Sequence, residues 1–163
     1  MASTKMQKIT PHLWYAKEAE EAAKFYSSIL PESRVDRVTT MPAASPSGPA
    51  GSVKIVDFTL CGQAFQAISA GPLDAFNHAI SFVIHCDDQA EIDRYWNALL
   101  EGGKPEQCGW LKDRYGVSWQ IVPTQLAGMI ADTDRTRAGR VAEKMLKMVK
   151  LDIAQLKAAY DGR

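Results

Sequence analysis

Apolar and polar residues alternate through KITPHLWY (8–15), and the stretch is rich in β-formers, so it predicts a strand. The spacing then changes. In AEEAAKFYSSIL (19–30), Ala22, Tyr26, Ile29 and Leu30 fall on one helical face, acidic residues fill the first turn, and Pro31 ends the run. SRVDRVTTM (33–41) returns to strand character. PAASPSGPAGS (42–52) is a loop by composition, either a lid or a plain hairpin tip. VKIVDFTL (53–60) and QAFQAIS (63–69) predict a hairpin turning at Cys61-Gly62.

The second half repeats this order. AISFVIHC (79–86) predicts a strand with Ile80, Phe82 and Ile84 as its helix-facing set. DQAEIDRYWNALL (88–100) predicts a helix. Asp88 and Glu91 suit its cap, Ile92, Tyr95, Trp96 and Leu99 form its buried stripe, and Gly102-Gly103 stop it. QCGWLKDRY (107–115) and GVSWQIVP (116–123) predict the last hairpin, with Lys112-Asp113 serving its turn. CGQAFQAI (61–68) and YGVSWQIV (115–122) share one pattern, Gly, two residues, an aromatic, Gln and two apolar positions, 54 residues apart. FYSSIL and YWNALL correspond at an offset of 70.

The chain therefore reads as α+β. Two βαβββ modules, about 7–70 and 77–123, form a curved mixed sheet with helices outside, within one domain over 1–123. Strand parity turns Phe65 and Trp119 toward the helices and Gln66 and Gln120 toward the concave face. A helical extension follows over 124–163. TQLAGMI is opened by Thr124, and DRTRAGRVAEKMLKMVK (134–150) carries Ala138, Val141, Met145, Met148 and Val149 on one face. In LDIAQLKAAY, Asp152 is the N-cap and Ile153, Leu156 and Tyr160 are buried. This apolar face packs on the same domain or on a dimer partner.

Charge narrows the function classes. Lys+Arg and Asp+Glu number 19 each, which leaves no basic field for nucleic acid or an anionic membrane. No apolar run reaches spanning length, and MASTKMQK lacks the apolar core of a signal peptide. Cys61, Cys86 and Cys108 are odd in number and form no C-x-x-C, as expected of a reduced, cytoplasmic protein.

The module pair, with FYSSIL in its first helix and CGWLKDRYGVSWQIVP closing its second half, resembles the vicinal oxygen chelate superfamily, the glyoxalase/bleomycin-resistance fold. Within it, ITPHLWY followed by AEEAAKFY, the stretch AISFVIHCDDQAEIDRYW and the tail EKMLKMVKLDIAQLKAAY are similar to PhnB-like proteins, a group often labelled 3-demethylubiquinone-9 3-methyltransferase. The resemblance implies a homodimer and a small molecule bound in the concave cavity. It also implies a metal set of His12, His78, Gln66 and Gln120.

Metal-using members of the superfamily usually carry Glu where Gln66 and Gln120 stand. An amide oxygen is a weaker ligand than a carboxylate and cannot take a substrate proton near neutral pH. That set carries no negative charge, so any divalent metal is expected to bind weakly. His12 shares its strand face with Trp14 and points to the concavity. If the strand runs straight through it, His78 shares the parity of the helix-facing set; His85 has the better parity but sits at the far end of the strand, and both read more simply as partly exposed polar residues at strand ends than as metal ligands. Asp87-Asp88 read as helix caps, and Trp110 and Tyr115 as core, interface or pocket lining. His12, Trp14, Gln66 and Gln120 are the expected ligand-lining residues. Three functions follow: a cavity-binding protein or metal-assisted enzyme of unknown substrate, a non-catalytic ligand-sequestering protein, or the methyltransferase of the label. The last is disfavoured because no G-x-G-x-x-G opens a helix after a strand.

Overall fold

The computed structural model describes residues 7–163 and divides into two units, one ending at Asp74 and one spanning Ala75–Arg163. The first six residues of the expected domain lie outside the described ones. Unit 1 runs β1 (His12–Tyr15), α1 (Ala19–Ile29), β2 (Arg34–Thr40), β3 (Lys54–Leu60), β4 (Gln63–Ser69). Unit 2 runs β5 (Phe82–Cys86), α2 (Gln89–Leu100), β6 (Lys104–Pro105), β7 (Trp110–Lys112), β8 (Ser118–Pro123), then α3 (Leu126–Ile130), α4 (Arg135–Met145) and α5 (Ile153–Asp161).

Each unit folds into its own four-stranded mixed sheet, ordered β1-β4-β3-β2 and β5-β8-β7-β6. In both, the first strand lies parallel to the last and the other pairs are antiparallel. Parallel neighbours need a crossover, and here it begins with the helix. The α+β class and the βαβββ repeat are therefore present, with β6 a strand that the sequence pattern did not reveal. Two residues at a sheet edge give no alternation to read.

In unit 1, α1 covers one face. Tyr15, Val56, Phe58, Phe65 and Ala67 are buried there beside Ala22, Ala23 and Tyr26 of the helix. The hairpin at Cys61-Gly62 has φ of 49° and 77°, the left-handed pair expected of a tight two-residue turn. In β2, Val35 opposes Phe58 but Arg37 opposes Asp57, so Asp36 is the extra residue of a bulge. The loop over 42–52 closes the β2–β3 hairpin, tied by Met41 N–H to Val53 and Gly51 N–H to Met41.

In unit 2, α2 forms with the expected stripe and cap. The Asp88 carboxylate accepts from Glu91 N–H at 2.8 Å, and the Glu91 carboxylate accepts from Asp87 N–H at 2.7 Å. The strand expected over 79–86 begins only at Phe82. Ile80 sits in a turn and is 76% exposed, so it does not belong to the buried set. Asp113 serves the β7–β8 turn in full burial. One carboxylate oxygen accepts from Tyr115 and Val117 N–H, and the other accepts from the Trp119 indole at 2.9 Å.

The tail is organised differently from the pattern. The helix expected over 134–150 stops at Met145, and residues 148–149 run as backbone instead, accepting from Cys108 and Gly109 N–H at 2.8 and 2.7 Å. Val149 is accordingly 40% exposed, while Met148 and Leu151 join Leu126, Val141 and Leu156 in a separate apolar cluster against Val122 of β8. Thr124 makes no cap for α3; its N–H donates to the Cys86 carbonyl. Asp152 does cap α5. Arg137 and Arg140 of α4 donate to carbonyls at the α5 C-terminus, where cations complement the helix dipole. The Gln89 side chain bridges Leu151 and Ile153, fixing this tail to α2.

Asp113 and Ser118 predict opposite outcomes. Removing the Asp113 carboxylate strands three donors at about 1–3 kcal/mol each, so Asp113→Ala is expected to lose at least about 3 kcal/mol in urea unfolding. The Ser118 hydroxyl is buried without a hydrogen-bond partner among the described residues, so Ser118→Ala is expected to be neutral or mildly stabilising in the same assay.

Candidate functional site

The strand registers bring the candidate residues into rows. In unit 1, His12 on β1 pairs with Gln66 on β4, Gln66 with Asp57 on β3, and Asp57 with Arg37 on β2. This polar row crosses the whole sheet on the face opposite α1, since its parity alternates with that of the buried residues. Gln66 Nε2 donates to Asp57 Oδ1 at 2.8 Å, and Arg37 Nε and a terminal nitrogen donate to Asp57 Oδ2 at 2.8 and 2.6 Å.

An ionised carboxylate only accepts, so Asp57 fixes the Gln66 amide. The nitrogen faces Asp57, and the carbonyl oxygen is left as the acceptor that Gln66 presents. Burial opposes the charge on Asp57, yet the Gln66 amide and the Arg37 guanidinium hold its carboxyl below the usual range. His12 is exposed at one end of the row. Trp14, two residues on along the same face, is half-buried, and its indole donates to the Gly71 carbonyl at 2.9 Å. The bulge completes the arrangement. Asp36 accepts from Thr59 at 2.6 Å and pairs with Arg34, which leaves Arg37 opposite Asp57.

The corresponding row of unit 2 has other chemistry. Gln120 on β8 pairs with Val83 on β5 and with Trp110 on β7, and Glu106 donates its N–H to the Trp110 carbonyl. Val83 therefore stands where His12 stands in unit 1, and Trp110 where Asp57 stands. Gln120 Nε2 donates to the Ser81 hydroxyl at 2.9 Å. His78 lies in the turn before β5, so the strand parity expected of it does not apply. It is an exposed residue beside Glu106 and Trp110. His85 pairs with Val122 and lines a mainly apolar cavity of about 390 Å³ with Leu126, Ile130 and Met145. Tyr115 is in the Asp113 turn, and Asp87-Asp88 serve the α2 cap.

Within unit 1 the structure thus joins His12 to Gln66, and within unit 2 it joins neither His78 nor His85 to Gln120. As a divalent-metal set the residues fit poorly. Unit 1 supplies one imidazole and one amide oxygen, while the adjacent Asp57 is committed to Arg37 and Gln66. Unit 2 supplies an amide beside a valine. Among the described residues, no cluster of three His, Cys, Asp or Glu side chains is positioned to hold a metal ion. Cys86 is no substitute, because burial, with Glu91 adding, pushes its thiol up to about 12.

Asp57, Arg37 and Val83 were the residues that sequence reading missed. Asp57 carried a signal, as the charged residue in the alternating strand KIVDFTL. Val83 and Arg37 did not, because each depends on register, and for Arg37 on a bulge.

The sequence profile described as 3-demethylubiquinone-9 3-methyltransferase matches residues 7–122. A solved Bacillus cereus PhnB protein carrying the same label is 32% identical with a TM-score of 0.65, over 72% of this chain and 100% of that one. A Pseudomonas aeruginosa protein is 24% identical with a TM-score of 0.55, over 72% of this chain and 97% of that one. The fosfomycin resistance protein FosX from Mesorhizobium loti shares the fold at 11% identity and a TM-score of 0.51, over 71% of this chain and 90% of that one. No curated protein matches the chain. With the profile spanning both modules, the chain belongs to the 3-demethylubiquinone-9 3-methyltransferase family, the PhnB-like group of the vicinal oxygen chelate superfamily.

Proposed function

We propose that the protein binds a small polar molecule against the open face of the unit 1 sheet, through hydrogen bonds and without a tightly held metal. The observation that carries this reading is the row His12–Gln66–Asp57–Arg37. Four polar side chains from four strands line up on one face, and the charges within the row fix the orientation of the amide at its centre. Such a row offers an imidazole and a pre-oriented acceptor, with the Trp14 indole beside them.

Binding is favoured over proton transfer. A general base works best when its pKa lies near the working pH, and Asp57 is held below even the usual carboxylate range. Gln66 and Gln120 have no proton-accepting role. The Listeria monocytogenes FosX structure is complexed with Mn(II), but it is 12% identical and its likeness is one of fold. Here the candidate donors are neutral, which favours a site without that ion.

Methyl transfer also lacks support in the local structure. Adenosyl cofactors commonly sit at a glycine-rich strand-to-helix turn. The β1–α1 turn is Ala16, Lys17 and Glu18, with the Glu18 carboxylate accepting from Lys17 N–H, and the β5–α2 turn is Asp87 and Asp88. Each puts a carboxylate where such a turn brings phosphate or carboxylate groups.

The reading is tested by NMR with a several-hundred-compound fragment library. Hits are expected to shift the His12, Trp14 and Gln66 signals and to weaken about tenfold in Gln66→Leu. Hits confined to other surfaces, or indifferent to that change, sink the proposal. One equivalent of Mn(II) is expected to leave the His12 signals sharp; selective broadening that disappears in His12→Ala would restore a metal. Calorimetry with S-adenosylmethionine is expected to show no heat of binding, and a micromolar isotherm would reinstate the methyltransferase.

A further inference from the structure

The edge of the unit 2 sheet holds a cavity that the reading above does not use. It measures about 360 Å³, at the small end of ligand pockets, and is lined by His78, Glu106, Gln107 and Trp110. We propose that it is a binding site for an organic primary amine in its ammonium form.

Three features of the cavity converge on that class. The first is a pair of acceptors. His78 Nδ1 and Glu106 Oε2 stand 3.6 Å apart, outside hydrogen-bond range, so neither satisfies the other. A nitrogen set to one side of the line joining them can lie at ordinary hydrogen-bond length from both, and an ammonium brings three donors. The second is the Trp110 indole. Its ring centroid lies 6.3 Å from that of His78 at 80°, and an indole is the best aromatic partner for a cation. The third is the anionic charge. Glu106 is nearly three-quarters buried, and among the described residues no lysine or arginine pairs with it, Lys104 and Lys112 standing further along the same face.

The wall is also built to hold its shape. Between Glu106 and Trp110 the chain turns through Cys108 and Gly109, with φ of 60° and 81°. Trp110 N–H donates to the Gln107 carbonyl, and Glu106 N–H to the Trp110 carbonyl, so the three lining residues of this loop are locked together. Cys108 and Gly109 are then pinned by Met148 and Val149 from the tail. A side chain on Gly109 would strike the Ile121 carbonyl at 2.9 Å and Leu151 at 3.0 Å. Preorganised walls lower the ordering cost of binding a small ligand.

The test uses benzylammonium chloride as probe and benzyl alcohol as its neutral counterpart, with the Trp110 indole and Gln107 side-chain amide signals followed by NMR. Benzylammonium is expected to give a saturable millimolar shift of both signals. Glu106→Gln keeps the shape and removes the charge, and is expected to weaken the shift about tenfold or more. Benzyl alcohol is expected to give no saturable shift. Equal responses to the two probes, an unchanged response in Glu106→Gln, or no saturation by benzylammonium would each overturn the proposal. The fragment site lies on the unit 1 sheet and is read by its own signals and its own variant, so it fails or succeeds separately.

Discussion

In each unit the first strand lies parallel to the last, and the rest of the architecture depends on that pairing. Parallel neighbours cannot be joined by a tight turn, so the chain must leave the sheet, pass through a helix and return along two more strands. The helix then shields one face, and strand alternation commits every second residue to the other. Once β1 is registered on β4, His12 comes abreast of Gln66, and antiparallel pairing extends the line to Asp57 and Arg37. The polar row is thus a product of topology as much as of residue type.

The same frame carries two different surfaces. Unit 1 lines up imidazole, amide, carboxylate and guanidinium; unit 2 lines up valine, amide, indole and carboxylate. The helix-facing halves stay alike, since Phe65 and Trp119 both pack inward beneath their glutamines. Packing constrains that side closely, whereas the open side can change with little cost to the core. Membership of a superfamily therefore says a great deal about the frame and little about the chemistry on its open face.

Much of the frame was legible in the sequence because burial imposes period. The α2 stripe, the Asp88–Glu91 cap, the Cys61-Gly62 turn and the limits of β4 all follow from local rules. What escaped lacked a local signature. β6 is too short to alternate, and Ile80 is apolar but sits in a turn. The helical periodicity after Met145 continues on paper, whereas the backbone groups of residues 148–149 are recruited by Cys108 and Gly109. The site was half legible. His12 and Gln66 were identified from parity, but Asp57, Arg37 and Val83 required register, and no parity can be read for His78 because it precedes the strand.

The bulge at Asp36 is a place where β2 can lose a residue without losing its register. A substitution at Asp36 would remove its bonds to Thr59 and Arg34 and leave the strand in place. Deleting the residue would close the bulge and leave Val35 opposite Phe58 and Arg37 opposite Asp57 in a regular ladder, so the pairing would survive and the local bend would be lost. An alignment of related chains that leaves a gap at Asp36 therefore still pairs the same residues on either side of it. A relative one residue shorter at this point can keep its guanidinium at the end of the row.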